Sequence, residues 1–186
     1  MTEKNNWQTI SSENKYDNPW ITVIHNEVIT PGGSRGIYGK VSFKNRAVGI
    51  IPIDEQMNTW LVGQFRYTLN SYSWEIPEGG CPRGEKLIDA ARRELKEETG
   101  IEADNFIEIL RLHNSNSVTD EEAVIFTARV IAEGEKSPED TEELQVRKLP
   151  FAEVVKMVKR GEITDAMSVA GILRIAHSPS LTDKQE

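Results

Sequence analysis

Cysteine is nearly absent from this chain: Cys81 stands alone among 186 residues, so no disulfide framework can form within it. Histidine is almost as scarce. His25, His113 and His177 lie far apart and give no zinc-ligand spacing, so a metal ion here would be held by oxygen. No apolar run approaches the roughly 18 residues that a membrane helix needs. The start, Met-Thr-Glu-Lys-Asn-Asn, also lacks the basic and apolar segments of a secretory leader. These absences predict a soluble, cytoplasmic protein with no membrane partner. Positive charge is in deficit too: 22 Lys and Arg against 30 Asp and Glu leave a formal charge of -8, and no basic run offsets it. A phosphodiester backbone would be repelled, so polymeric nucleic acid is not an expected partner. A small anion is still compatible, because a bound divalent cation and one or two arginines reverse the sign locally.

The 38% apolar content suffices for one good core with a small appendage. Residues 1–18 are polar and read as a loose arm. Trp20 to Thr30 and Ile37 to Phe43 form a hairpin around Pro31-Gly32-Gly33. Ala47 to Ile53 and Thr59 to Phe65 read as an apolar strand pair around a turn at Asp54 to Asn58, followed by a short strand at Ser73 to Ile76. Glycines and prolines make Pro77 to Gly84 a loop, and Glu85 to Thr99 is a helix stopped by Gly100. Strands at Phe106 to His113 and Ala123 to Ala132 flank a polar loop from Asn114 to Glu122. An acidic loop over Gly134 to Glu143 leads to a strand at Leu144 to Leu149. Two helices close the chain, Phe151 to Arg160 stopped by Gly161, and Asp165 to Ala176 behind Thr164 as N-cap. The expected class is α+β with a mixed sheet covered on both faces. Residues 1–44 form the N-terminal arm and hairpin, 45–178 the main domain, and 179–186 a disordered tail.

The helix after the glycine-rich loop is not an ordinary amphipathic one. With Leu87 at zero and about 100° per residue, Ala91 falls near 40°, Leu95 near 80° and Ala90 near 300°, which marks the buried arc. Arg92, Arg93 and Lys96 face away from it. Glu94 and Glu98 project from the middle of that arc, one turn apart, with Glu97 at its edge. Like charges at that spacing repel, and a buried unpaired carboxylate is costly. A shared divalent cation removes both penalties, and hard oxygen ligands favour Mg²⁺, with Mn²⁺ able to substitute. The alternative is that these glutamates pair with Arg92, Arg93 or a distant arginine.

The residues also match a pattern: Gly79, five residues, Glu85, seven residues, then Arg93-Glu94-Leu95-Lys96-Glu97-Glu98-Thr99-Gly100-Ile101. This resembles a complete Nudix box, with every defined position met. The resemblance implies a Nudix α/β/α sandwich with a mixed β-sheet, plus a small N-terminal antiparallel β region. It implies metal ligands at Glu94, Glu97 and Glu98 and at the backbone carbonyl of Glu78, with Glu98 central to catalysis. Arg93 and Glu85 would orient the others. The segments Gln64-Phe65-Arg66-Tyr67 and Trp74-Glu75-Ile76-Pro77-Glu78-Gly79 resemble the branch that cuts ADP-ribose and nucleoside diphosphate sugars.

By that likeness Arg66 contacts a phosphate, Glu75 faces the sugar or base, and the N-terminal region makes a homodimer interface. Trp7, Trp20 or Tyr38 would then stack on a base or simply pack. The acidic loop would supply a general base or further ligand from Glu139, Asp140 or Glu142, with Glu142 nearest the expected place. A proline common after the box in ADP-ribose members is replaced here by Asn114-Ser115-Asn116-Ser117, so sugar nucleotides such as GDP-mannose are equally open. The implied activity is Mg²⁺-dependent hydrolysis of the diphosphate, giving a nucleoside monophosphate and a sugar phosphate. The runner-up is a nucleoside triphosphate or dinucleoside polyphosphate pyrophosphatase, and behind it a non-catalytic nucleotide-binding module.

Overall fold

A computed structural model describes residues 4–134 and 144–178. The chain divides into two compact units, residues 1–45 with 113–121, and residues 46–112 with 122–186. The expected tail at 179–186 and the expected acidic loop residues Glu139, Asp140 and Glu142 lie outside the described residues.

The first unit is a three-stranded antiparallel sheet of β1 (Gln8–Asp17), β2 (Ile21–Ile29) and β3 (Arg35–Phe43), in that spatial order. The hairpin stands as its composition demands, with Ile21 opposite Phe43 and Ile29 opposite Arg35. Its turn closes through Gly33, whose φ of 85° suits a residue without a side chain. The loose arm is a correction: Gln8–Asp17 is a strand paired with β2, with register shifts after Thr9 and Asn14. Every residue of β1 is exposed, so no alternation of apolar residues marks it. Its backbone ladder and polar links hold it, among them Ser12 to Asn26 at 2.7 Å and Lys44 to Asp17 at 2.9 Å. The segment 113–121 joins these strands rather than merely connecting two others. The Val41 N–H donates to Val118 O, and the Asp120 carboxylate accepts from Ser42 Oγ and Phe43 N–H while pairing with Lys40.

The second unit contains two sheets. One runs β7 (Glu78–Cys81), β4 (Arg46–Ile53), β9 (Glu122–Glu133) and β8 (Ile101–His113); the other runs β10 (Gln145–Pro150), β5 (Asn58–Arg66) and β6 (Ser71–Glu75). Strands β4 and β9 are parallel, with Ala47 opposite Ala123 and Ile53 opposite Arg129. Their residues are apolar on both faces, as central strands of a covered sheet must be. On one face Ile50, Val124 and Phe126 pack with Ala91 and Leu95 of α1 (Leu87–Thr99). On the other, Ile51, Ile53 and Ile125 pack with Val154 of α2 (Phe151–Lys159) and Ile172 and Ile175 of α3 (Ala166–Ala176). The result is the expected α+β sandwich with a mixed sheet.

Four local expectations are corrected. β4 and β5 flank the turn at Asp54 to Asn58, but they are not partners, because β4 takes its neighbours from β7 and β9 while β5 lies in the other sheet. Pairing at a distance leaves no mark in a local pattern. The glycine-rich loop contains a strand, β7, which lies at the edge of its sheet, where glycines disrupt a ladder least. Helix α1 starts at Leu87, two residues later than its acidic lead-in suggests. The N-cap of α3 is Asp165, not Thr164: its side chain accepts the Ser168 N–H.

Candidate active site

Helix α1 and strand β7 meet along the Glu94–Glu98 face. Glu98 is 3% exposed in the apolar arc where the helix angles put it. Its Oε2 accepts the Glu78 backbone N–H at 3.0 Å, which ties the helix to the strand. Gly79 follows, and the Glu94 carboxylate lies directly over it. A Cβ at Gly79 would stand 2.2 Å from Glu94 Cδ, so only glycine leaves room for that carboxylate.

Arg93 organises the outer edge. Its Nη1 donates to Glu94 at 2.8 Å and to Glu97 at 3.0 Å, while Nη2 donates to the Gly80 carbonyl at 2.9 Å and to Glu85 at 3.2 Å. The helix angles alone would leave Arg93 on an ordinary solvated face. Its half-buried side chain instead spans three box carboxylates. Burial works against its charge, but Glu85 and Glu94 outweigh that and raise its pKa.

A second arginine lies at the end of β5. Arg66 Nε donates to both Glu75 oxygens, at 3.0 and 3.1 Å, and Nη2 adds a further bond to Glu75 and a longer one, 3.4 Å, to Glu78. The bonds with Glu75 raise Arg66 against a burial penalty. Glu75 is buried, and this two-point grip fixes the guanidinium in one plane. Glu78 sits in a more hostile place. Burial first, and then the charges of Asp165 and Glu75, push its carboxyl well above the usual carboxylate range, with Arg66 opposing them. Its Oε2 is buried and accepts no hydrogen bond.

Among the described residues, no three acidic, imidazole or thiol side chains already converge as a closed cation cage. Arg93 Nη1 stands between Glu94 and Glu97 and offsets their repulsion. The chemistry of the donors nevertheless fits a hard divalent ion: oxygen only, carboxylates on adjoining strand and helix, and one buried carboxylate oxygen without a donor.

The NUDIX domain family matches residues 43–169. The chain belongs to the Nudix family. Residues 7–41 match a second family, the nucleoside diphosphate sugar hydrolase N-terminal domain. The ADP-ribose pyrophosphatase of Mycobacterium tuberculosis (strain ATCC 25618 / H37Rv) is 30% identical over 176 residues, covering 92% of this chain and 84% of that protein. The ADP-ribose pyrophosphatase of Bacillus subtilis (strain 168) is 27% identical over 167 residues, covering 89% and 90%. A crystal structure of an ADP compounds hydrolase matches with a TM-score of 0.84 at 21% identity, over 100% of this chain and 99% of that one, a likeness of fold.

Within this Nudix domain, the residues singled out in the sequence fall into two linked groups. Glu85, Glu94 and Glu97 gather on Arg93; Glu75 and Glu78 gather on Arg66; Glu98, on the same helix as Glu94 and Glu97, takes the Glu78 N–H. Asp165, the N-cap of α3, and Ser168 in its first turn border the second group and were not singled out. Asp165 is of a favoured N-cap type and its side chain accepts the Ser168 backbone N–H, but nothing local points from α3 to Ile76.

Proposed function

We propose that this Nudix protein hydrolyses the diphosphate of ADP-ribose or of a nucleoside diphosphate sugar, such as GDP-mannose, with Mg²⁺ as the preferred ion and Mn²⁺ able to substitute. The observation that carries this reading is the intact carboxylate set of the box, drawn against β7 by the Glu78–Glu98 bond and by the seat of Glu94 on Gly79. The N-terminal match, and relatives called ADP-ribose pyrophosphatase that align over most of their length, support the branch.

Glu94, Glu97 and Glu98, with the Glu78 backbone carbonyl, would hold the divalent ions. Such ions, when bound, supply positive charge against the diphosphate oxygens and make water a stronger acid. Glu75 holds Arg66 rigid, so its guanidinium meets phosphate without first being ordered. Glu139, Asp140 or Glu142 takes the proton from the attacking water. The water oxygen bonds to one phosphorus, the bond from that phosphorus to the bridging oxygen breaks, and a nucleoside monophosphate and a sugar phosphate leave. Arg93 keeps Glu94 and Glu97 in place against their mutual repulsion.

We further propose a homodimer built through the N-terminal sheet, where Trp20 and Ile37 are exposed, and a cytoplasmic location, for which the free buried Cys81 is suited. No helix among the described residues is long and apolar enough to cross a membrane.

The test is a Mg²⁺-dependent hydrolysis screen over ADP-ribose, GDP-mannose, other nucleotide sugars, dinucleoside polyphosphates and nucleoside triphosphates, with products resolved by chromatography. A mononucleotide plus a sugar phosphate is the expected result. Activity confined to triphosphates, or none at all, contradicts it.

A further inference from the structure

The segment Glu75–Glu78 carries the grip on Arg66 at one end and the bond to Glu98 at the other. Between them, Pro77 has no N–H, and its carbonyl accepts from Ile50 N–H at 2.8 Å. The remaining tether comes from outside the box. The Ile76 N–H donates to Ser168 Oγ at 2.9 Å, a link across 92 residues of sequence between two buried groups. Ser168 is fully buried, and its own N–H donates to Asp165 Oδ2 at 2.7 Å.

The packing around this link leaves little freedom. A Cβ at Gly171 would stand 3.0 Å from side-chain carbons of Ile51 and Ile125, so α3 lies close on the sheet. A Cβ at Gly49 would stand 2.8 Å from Ile76 Cδ1 and 3.0 Å from Met167 Cε, so Ile76 is pressed between β4 and the start of α3. Without the hydroxyl, the buried Ile76 N–H loses its acceptor in a place water does not reach easily. The segment would then relax, and its neighbours on either side are Glu75 and Pro77-Glu78.

We infer that Ser168 is a positioning residue for the proposed hydrolase: its hydroxyl, held by the Asp165-capped start of α3, sets the Glu75–Glu78 segment against Glu98. It touches neither substrate nor metal. This rests on the hydrolytic reading above, and its test separates the two. In Ser168→Ala the Ile76 amide exchanges with deuterium at least tenfold faster than in the native chain, read by NMR. The affinity for Mn²⁺ alone, measured by titration without substrate, falls about tenfold, and kcat falls about tenfold with KM changed less. Native Mn²⁺ affinity and native kcat in Ser168→Ala overturn the inference, as does unchanged exchange at Ile76. If the native chain cuts no diphosphate, the hydrolytic reading fails by itself, and exchange and Mn²⁺ affinity still decide the role of Ser168.

Discussion

The carboxylate of Glu94 lies over Gly79, so close that a Cβ added to the glycine would stand 2.2 Å from Glu94 Cδ. One residue belongs to an edge strand and the other to a helix, and each is where it is because of the other. The collision would be with the far end of a flexible side chain, not with backbone. Gly79→Ala therefore keeps its melting temperature within a few degrees, since Glu94 can swing aside. Displacing that carboxylate lowers kcat on the order of a hundredfold. Thermal unfolding and steady-state kinetics on one preparation check both halves; a large loss of stability with full activity contradicts the account.

Arg93 offsets the repulsion of Glu85, Glu94 and Glu97 when no cation is present. In Arg93→Gln the metal-free protein is expected to lose about 1 kcal/mol of stability, a modest figure because the arginine is partly exposed. Mg²⁺ should then stabilise the variant more than it stabilises the native chain, because it binds the folded state and answers the same unbalanced charge. Urea unfolding with and without Mg²⁺ measures the difference.

Asp120 supplies an acid-sensitive contact in the N-terminal unit. Burial would raise its pKa, but Lys40, Ser42 and the Phe43 N–H outweigh burial and hold it down to about 2. A folded-state value below the ordinary one, about 3.9, contributes stability above that ordinary value. The contribution is lost as pH falls toward about 2. Asp120→Asn should flatten this part of the acid limb: the protection factor of the Phe43 amide, its exchange rate taken relative to the intrinsic rate at the same pH, should change less between pH 6 and pH 3 in the variant than in the native chain.

The box was legible because its chemistry demands particular residue types at helical spacing, and the buried placement of Glu98 followed from one turn of arithmetic along α1. The central strands were legible from their continuous apolar runs. Partner choice was not: β4 and β5 share a turn but lie in different sheets. Strand β1 escaped because it is exposed on both sides, and β7 because its glycines look like a loop until a helix carboxylate is laid over them. The link from Ser168 to Ile76 spans 92 residues, and no window of sequence contains it. Arg93 faced outward by its helix angle, yet a long guanidinium reached three carboxylates that the angle alone did not connect to it.

The most direct measurement compares the native chain with Glu98→Gln for Mg²⁺-dependent hydrolysis of ADP-ribose, resolving AMP and ribose 5-phosphate. The amide oxygen of glutamine can still accept the Glu78 N–H, so the fold and its melting temperature should hold. Loss of the carboxylate charge should cost about a thousandfold in kcat. Near-native turnover in a folded Glu98→Gln variant would contradict the central claim that this buried carboxylate carries the chemistry.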